Sequence, residues 1–288
     1  MRLTPIFDTS SLINLSRRDD SLDSAMKRLK SLIPSHGCPL SFVTVMELFH
    51  GLCNGKEEEL DHTLKPLLLA ARISRKQVLR TPLTFAKWEL FQTEEAFGHQ
   101  PRRLVDWLEK IEMPSFTERF AAGEVEMDFE GTERIFGLVK ERNAQTTEEM
   151  LDRVHPSWRE ERRNGSALPE SKREQFKREM PFEKWKGVLP ELLVGQMHVP
   201  ENAATVDRTR TGCDAYFTYT INLLRDSILG NYRFEDNPND FHDGLQFLYL
   251  IRPKFCLVTD DRPSLDRTRQ SSQRTRIMSL DEFLSTAA

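Results

Sequence analysis

The stretch Asn237 to Asp261, NPNDFHDGLQFLYLIRPKFCLVTDD, decides the fold because it turns a helix back into a strand and carries acids at both ends. Asn237 is suited to cap a helix whose first residue is Pro238, since a missing N–H costs nothing in a first turn. Leu245, Phe247, Leu248, Tyr249 and Ile251 carry that helix to Arg252-Pro253, where proline stops it. The run Phe255-Cys256-Leu257-Val258-Thr259 then reads as a buried strand. From Asp243 to Pro253 the helix descends roughly 15 Å, and the strand climbs back roughly 16 Å. Packed antiparallel, the two bring Asp243 to the same edge as Asp260 or Asp261. Asp240, three residues before Asp243, projects from the same helical face. Acids gathered in this way repel one another unless a cation neutralises them.

The start of the chain supplies a matching half. Leu3 to Phe7 reads as a short strand ending in Asp8-Thr9-Ser10-Ser11, after which Leu12, Ile13 and Leu15 open a helix. Pro39 to Val43 reads as a second strand, and Thr44-Val45-Met46-Glu47-Leu48-Phe49 opens the next helix. Both units place an acid at the carboxyl end of a strand, the edge at which open α/β sheets bind ligands.

In order and spacing, the motifs Asp8-Thr9-Ser10-Ser11-Leu12, Ser41 to Gly51, the helix-opening Asp243 and Leu257-Val258-Thr259-Asp260-Asp261 make the chain resemble the PIN-domain nucleases. The resemblance spans about the first 60 and last 80 residues. It implies a three-layer α/β/α fold with a mostly parallel central sheet. It also puts Asp8, Glu47, Asp243 and Asp261 in the positions of the family's four metal-binding acids, with Ser10 and Thr259 as accompanying hydroxyls. The activity it implies is a metal-dependent ribonuclease. Members of this family often act as toxins paired with an antitoxin, so an antitoxin-like protein inhibitor and a homodimer are the protein partners to expect.

A ring of Asp and Glu without His or Cys suits hard cations such as Mg²⁺ or Mn²⁺, which activate water for attack on phosphorus and offset charge on the leaving oxygen. On this reading Asp8 and Glu47 hold the first ion, Asp243 and Asp261 complete the cluster, and Asp240 is an auxiliary ligand. Asp261 is preferred to Asp260 because it follows Thr259 by two residues, as the resemblance favours. Ser10 or Thr259 orients a water or the scissile phosphate. Arg262, with Arg267, Arg269, Arg274 and Arg276 behind it, reads either as a set of backbone-phosphate contacts beside the metal edge or as an ordinary solvated surface.

Each acid has a competing structural role. Asp8 is also a suitable helix cap, and Thr44-x-x-Glu47 also reads as a capping box. Asp240 and Asp243 also complement a helix dipole. His242 falls about 100° off both helix acids and reads as a solvent-facing side chain. Four unrelated caps have no reason to recur in this order at strand ends, and this favours the metal site.

Between the two halves, residues 98–205 are charge-rich and punctuated by proline, and read as a helical insertion separating core segments 1–97 and 206–288. Helical patches such as Ile135, Leu138 and Val139 recur inside it, and Val206 to Gly230 reads as one helix after it. From Arg153 to Lys186 ten Lys/Arg face six Glu, with Trp158 and Trp185 interleaved. That mixture is either a solvated helical face or a surface for stacking single-stranded RNA.

The net charge of -4 announces no nucleic-acid binder by itself, although an acidic metal site offsets a basic track elsewhere. Cys38, Cys53, Cys213 and Cys256 form no zinc pattern and read as reduced thiols. With no signal peptide and no apolar run of membrane length, a cytoplasmic protein with no membrane contact is expected. Two rivals remain: a noncatalytic PIN-like module that binds RNA or protein, and a structure-specific DNA nuclease.

Overall fold

A computed structural model of the chain describes residues 3–19, 21–54, 60–92, 100–112, 115–116, 119, 170–179, 182–229 and 240–286. Three parallel strands, β1 (Thr4–Phe7), β2 (Phe255–Val258) and β3 (Ile277–Met278), lie side by side in that order. Thr4 pairs with Phe255 and Phe7 with Val258, while Leu257 pairs with Ile277. Pro5 is tolerated because β1 is an edge strand. Thr4 N donates to Lys254 O at 2.7 Å and Asp8 N to Val258 O at 3.0 Å. Alternation therefore turns the missing N–H of Pro5 to the open side.

The described helices are α1 (Thr9–Arg18), α2 (Leu22–Leu29), α3 (Phe42–Asn54), α4 (Leu60–Ser74), α5 (Pro82–Phe91) and α6 (Gln100–Ile111). They continue as α7 (Glu170–Glu179), α8 (Phe182–Gln196), α9 (Ala203–Gly212), α10 (Asp214–Leu229), α11 (Asp240–Gln246), α12 (Arg262–Arg267) and α13 (Leu280–Ser285). The fold is mixed α/β, mostly helical, around a small parallel sheet. Strand side chains alternate between faces, and two cores result. Ile6, Leu257 and Ile277 pack with Phe85, Leu193, Phe217 and Phe247 on one face. Phe7 and Val258 pack with Leu12, Phe49, Leu67 and Phe283 on the other.

Residues 98–205 are expected to stand between the core halves, yet both described ends of that segment are built into the cores. Leu104, Trp107 and Leu108 of α6 join the second core. Trp185, Leu189 and Leu193 of α8 join the first. Trp185 is therefore a core anchor and not a stacking platform for RNA. Trp158 and the patches at Ile135, Leu138 and Val139 lie outside the described residues, as do Asn237 and Pro238.

Three expectations are corrected. Pro39 to Val43 is not a strand of the sheet: only Leu40 pairs, in a single parallel bridge with Val78, and α3 already begins at Phe42. Val206 to Gly230 is not one helix, because Cys213 (φ -108, ψ 24) separates α9 from α10. Gln273 fills that break, accepting from Ala215 N and donating to Gly212 O. The helix leading to Pro253 tightens after Gln246 into a 3-10 turn, Phe247–Ile251. Arg252 then turns extended at φ -75, ψ 115, as a residue before proline prefers. Among the described residues no helix is long and apolar enough to cross a membrane.

Candidate functional site

Parallel pairing of β1 with β2 places Asp8 beside Thr259, each one residue past its strand. Asp8 does cap α1, its Oδ1 accepting from Ser11 N at 2.8 Å. The same carboxylate also accepts from Ser10 Oγ at 2.9 Å and from Thr259 Oγ1. Capping and a functional role are therefore compatible at this residue. Burial pushes the Asp8 carboxyl up to about 6, against the pull of its hydrogen bonds from Thr259, Ser11 and Ser10.

Glu47 is not the partner of a capping box. Ser41 Oγ accepts from Thr44 N at 2.9 Å, so Ser41 caps α3 and Glu47 sits a further turn along. Thr9 Oγ1, next to Asp8 in the chain, donates to Glu47 Oε2. Burial raises the Glu47 carboxyl to about 7. The Thr9 bond opposes that shift, and the charges of Asp8 and Asp261 add to it.

Asp243 lies in the first turn of α11. Its carboxyl is held well above the usual range by burial first, and then by the charges of Glu47, Asp261, Asp8 and Asp240. The neighbouring Gly244 lets α11 seat directly on Tyr219: a Cβ there would lie 2.8 Å from Tyr219 Cδ1. The 3.6-residue period of the helix then points Asp243 and Gln246 the same way. The side chain of His242 lies outside what the structure describes.

Asp260 and Asp261 part company after β2. Asp260 accepts from Asn14 Nδ2 at 2.8 Å and from Leu280 N at 2.9 Å, which ties it to α1 and α13. Asp261 caps α12 through Ser264 N at 2.8 Å, and its charge acts on Glu47 and Asp243. Of the two, Asp261 belongs with the other acids. Asp240 is engaged elsewhere, because Arg267 Nη1 donates to its Oδ2 at 2.7 Å.

The arginine expectations divide in the same way. Arg267 is buried, paired with Asp240 and Asp226, and lies over the Tyr219 ring. Arg276 donates to the Arg252 and Phe255 carbonyls at 3.1 Å, and Arg274 donates to Ile277 O. All three use guanidinium N–H groups on the protein itself, and of them Arg267 is buried. Arg269 pairs with Asp266 at the surface. Arg262 is exposed and directly follows Asp261.

Among the described residues no three His, Cys, Asp or Glu side chains stand close enough to share an ion as they are. Asp8, Glu47 and Asp261 instead face hydroxyls or a backbone N–H, while the four acids remain within electrostatic reach of one another. The donor set is all oxygen, which suits a hard divalent cation.

Sequence reasoning missed Thr9 and a buried polar knot behind the acids. Thr44 Oγ1 lies 3.1 Å from Phe7 O and 3.3 Å from Gln246 Oε1. Ser41 Oγ lies 3.0 Å from Thr44 Oγ1 and 3.4 Å from Gln246 Oε1. The one available signal was a glutamine amid the apolar residues of a buried helix, which must find partners there. Set against family models, curated proteins and solved structures, the chain gives no match in any of the three comparisons.

Proposed function

We propose that the chain is a divalent-cation-dependent nuclease of PIN-like, three-layer architecture that hydrolyses phosphodiester bonds, with RNA as the favoured substrate and Mg²⁺ or Mn²⁺ as the ion. The observation that carries this reading is a chain of hydroxyl bridges at one sheet edge. Thr259 Oγ1 donates to Asp8 and accepts from Asp261 N at 3.1 Å, while Thr9 joins Asp8 in sequence to Glu47 in space. Acids from distant segments are thus gathered where an α/β sheet binds its ligand.

Asp8, Glu47, Asp243 and Asp261 would hold the ion, with Asp240 reserved for Arg267. Such an ion supplies an activated water and neutralises charge on the leaving oxygen. The rest falls to the protein. Ser10 and Thr259 fix the Asp8 carboxylate at the sheet edge, and the other acids would draw in around it when a cation arrives. Burial raises Asp8 and Glu47 to about 6 and about 7, so a cation displaces protons as well as water. Arg262, exposed beside Asp261, is placed to hold a backbone phosphate. An antitoxin-like inhibitor and self-association belong to the same reading.

The test is cleavage of single-stranded RNA, duplex DNA and flapped DNA with Mn²⁺, Mg²⁺ or chelator, by wild type, Asp8→Asn and Asp243→Asn. Metal-dependent RNA cleavage lost in both variants supports the proposal. Preference for flapped DNA makes the protein a structure-specific DNA nuclease. RNA binding without cleavage makes it a noncatalytic module.

A further inference from the structure

We infer that Gln246 and Thr44 are positioning residues, a buried latch that sets the distance between the acid-bearing elements; the inference rests on the four acids forming an ion site. Apart from Ser41, each member of the latch stands within a helical turn of an acid. Phe7 O immediately precedes Asp8, Thr44 lies one helical turn before Glu47, and Gln246 lies one helical turn after Asp243. A shift at any of these contacts is therefore passed to a carboxylate through at most one turn of helix.

The latch is buried: Ser41 and Thr44 are 0% exposed and Gln246 3%. Two hydroxyl protons, from Ser41 and Thr44, lie within reach of three acceptors, Phe7 O, Gln246 Oε1 and Thr44 Oγ1, and are shared among them. Such a network is satisfied only when strand and both helices are in register, because a buried acceptor left alone is costly. Tyr249 extends it, with its hydroxyl accepting from Phe42 N at 3.2 Å and donating to Arg80 O at 2.7 Å. No side chain of the latch is charged, and its oxygens are taken up by one another and by Phe7 O. Its contribution is therefore to geometry and not to binding an ion.

The experiment measures Mn²⁺ affinity by calorimetry and stability by urea unfolding on Thr44→Val, Thr44→Ser, Gln246→Met, Gln246→Glu and the Thr44→Val/Gln246→Met pair. Loss of the latch is expected to weaken Mn²⁺ binding about tenfold in Thr44→Val and Gln246→Met. Thr44→Ser, which keeps the hydroxyl, should stay within about twofold of wild type, and the double variant should be little worse than the weaker single one. If Gln246→Met does not fold, Gln246→Glu, which keeps an accepting oxygen, is compared with Thr44→Val. Variants that lose stability but bind Mn²⁺ like wild type would overturn the inference and leave the ion site standing. Wild type that binds no Mn²⁺ would remove the ion site itself, and the latch with it.

Discussion

Thr259 Oγ1 donates a hydrogen bond to Asp8 Oδ2 across 251 positions of sequence. The same oxygen accepts from Asp261 N, so one hydroxyl ties the carboxyl ends of β1 and β2 into a single edge. Thr259→Val keeps the shape and removes both bonds. A buried acceptor and a backbone donor are left short of a partner, costing about 1–3 kcal/mol. Mn²⁺ affinity should fall about tenfold. Urea unfolding and calorimetry on the same sample measure the two effects, and an unchanged ion affinity would separate Thr259 from the site.

The raised carboxyls make a signed prediction about pH. Glu47 goes from its ordinary 4.5 to about 7 on folding, so between those values the native state holds more protons than the unfolded chain. The corresponding stability is complete below about 4.5 and is lost as pH rises through 7. In metal-free protein, Glu47→Gln should therefore be more stable than wild type at pH 8, by up to about 3 kcal/mol. That gain should vanish near pH 4.5. Urea midpoints across the pH range, with chelator present, check it; a variant less stable than wild type at pH 8 contradicts it.

Arg267 and Arg262 separate a structural arginine from one free to meet substrate. Arg267→Met leaves a half-buried Asp240 and a half-exposed Asp226 without their partner. The expected loss is about 1–3 kcal/mol, below the range for a fully buried pair because water reaches both carboxylates. Arg262→Ala, at an exposed position, should change stability by less than about 0.5 kcal/mol. It should weaken RNA binding and reduce the salt slope by about one. Thermal unfolding and salt-dependent RNA titration distinguish the two, and equal behaviour would refute the division.

Gly244 is required for close approach and not for an unusual backbone. A methyl group there meets Tyr219 at 2.8 and 2.9 Å, and that ring is buried with its hydroxyl bonded to Asp240 O. Gly244→Ala should cost about 1–3 kcal/mol through overpacking and displace Asp243. A stability equal to wild type would show that α11 does not sit on this ring.

Much of the sheet edge was legible because it follows from local chemistry. Two apolar runs, each ending in an acid beside hydroxyls, announced β1 and β2. The Pro39 to Val43 strand was misread because Val43, Thr44 and Val45 are β-branched, which masks a helix already capped by Ser41. Helix α12 went unread although Asp261 followed by Arg262-Pro263 carries the signal, a capping acid with proline in the first turn. The arginines after Asp261 look alike in sequence; burial against Asp240 and Asp226 is what sets Arg267 apart. The Thr44–Gln246 contact joins residues 202 positions apart, and no local pattern encodes it.

The most direct measurement is calorimetric titration of Mn²⁺ into metal-free protein at pH 7, in two buffers of different ionisation enthalpy, for wild type and Asp243→Asn. The account predicts that wild type binds the ion and releases protons as its raised carboxyls ionise, and that Asp243→Asn binds far more weakly. Absence of binding by wild type, or identical binding by the variant, would contradict it.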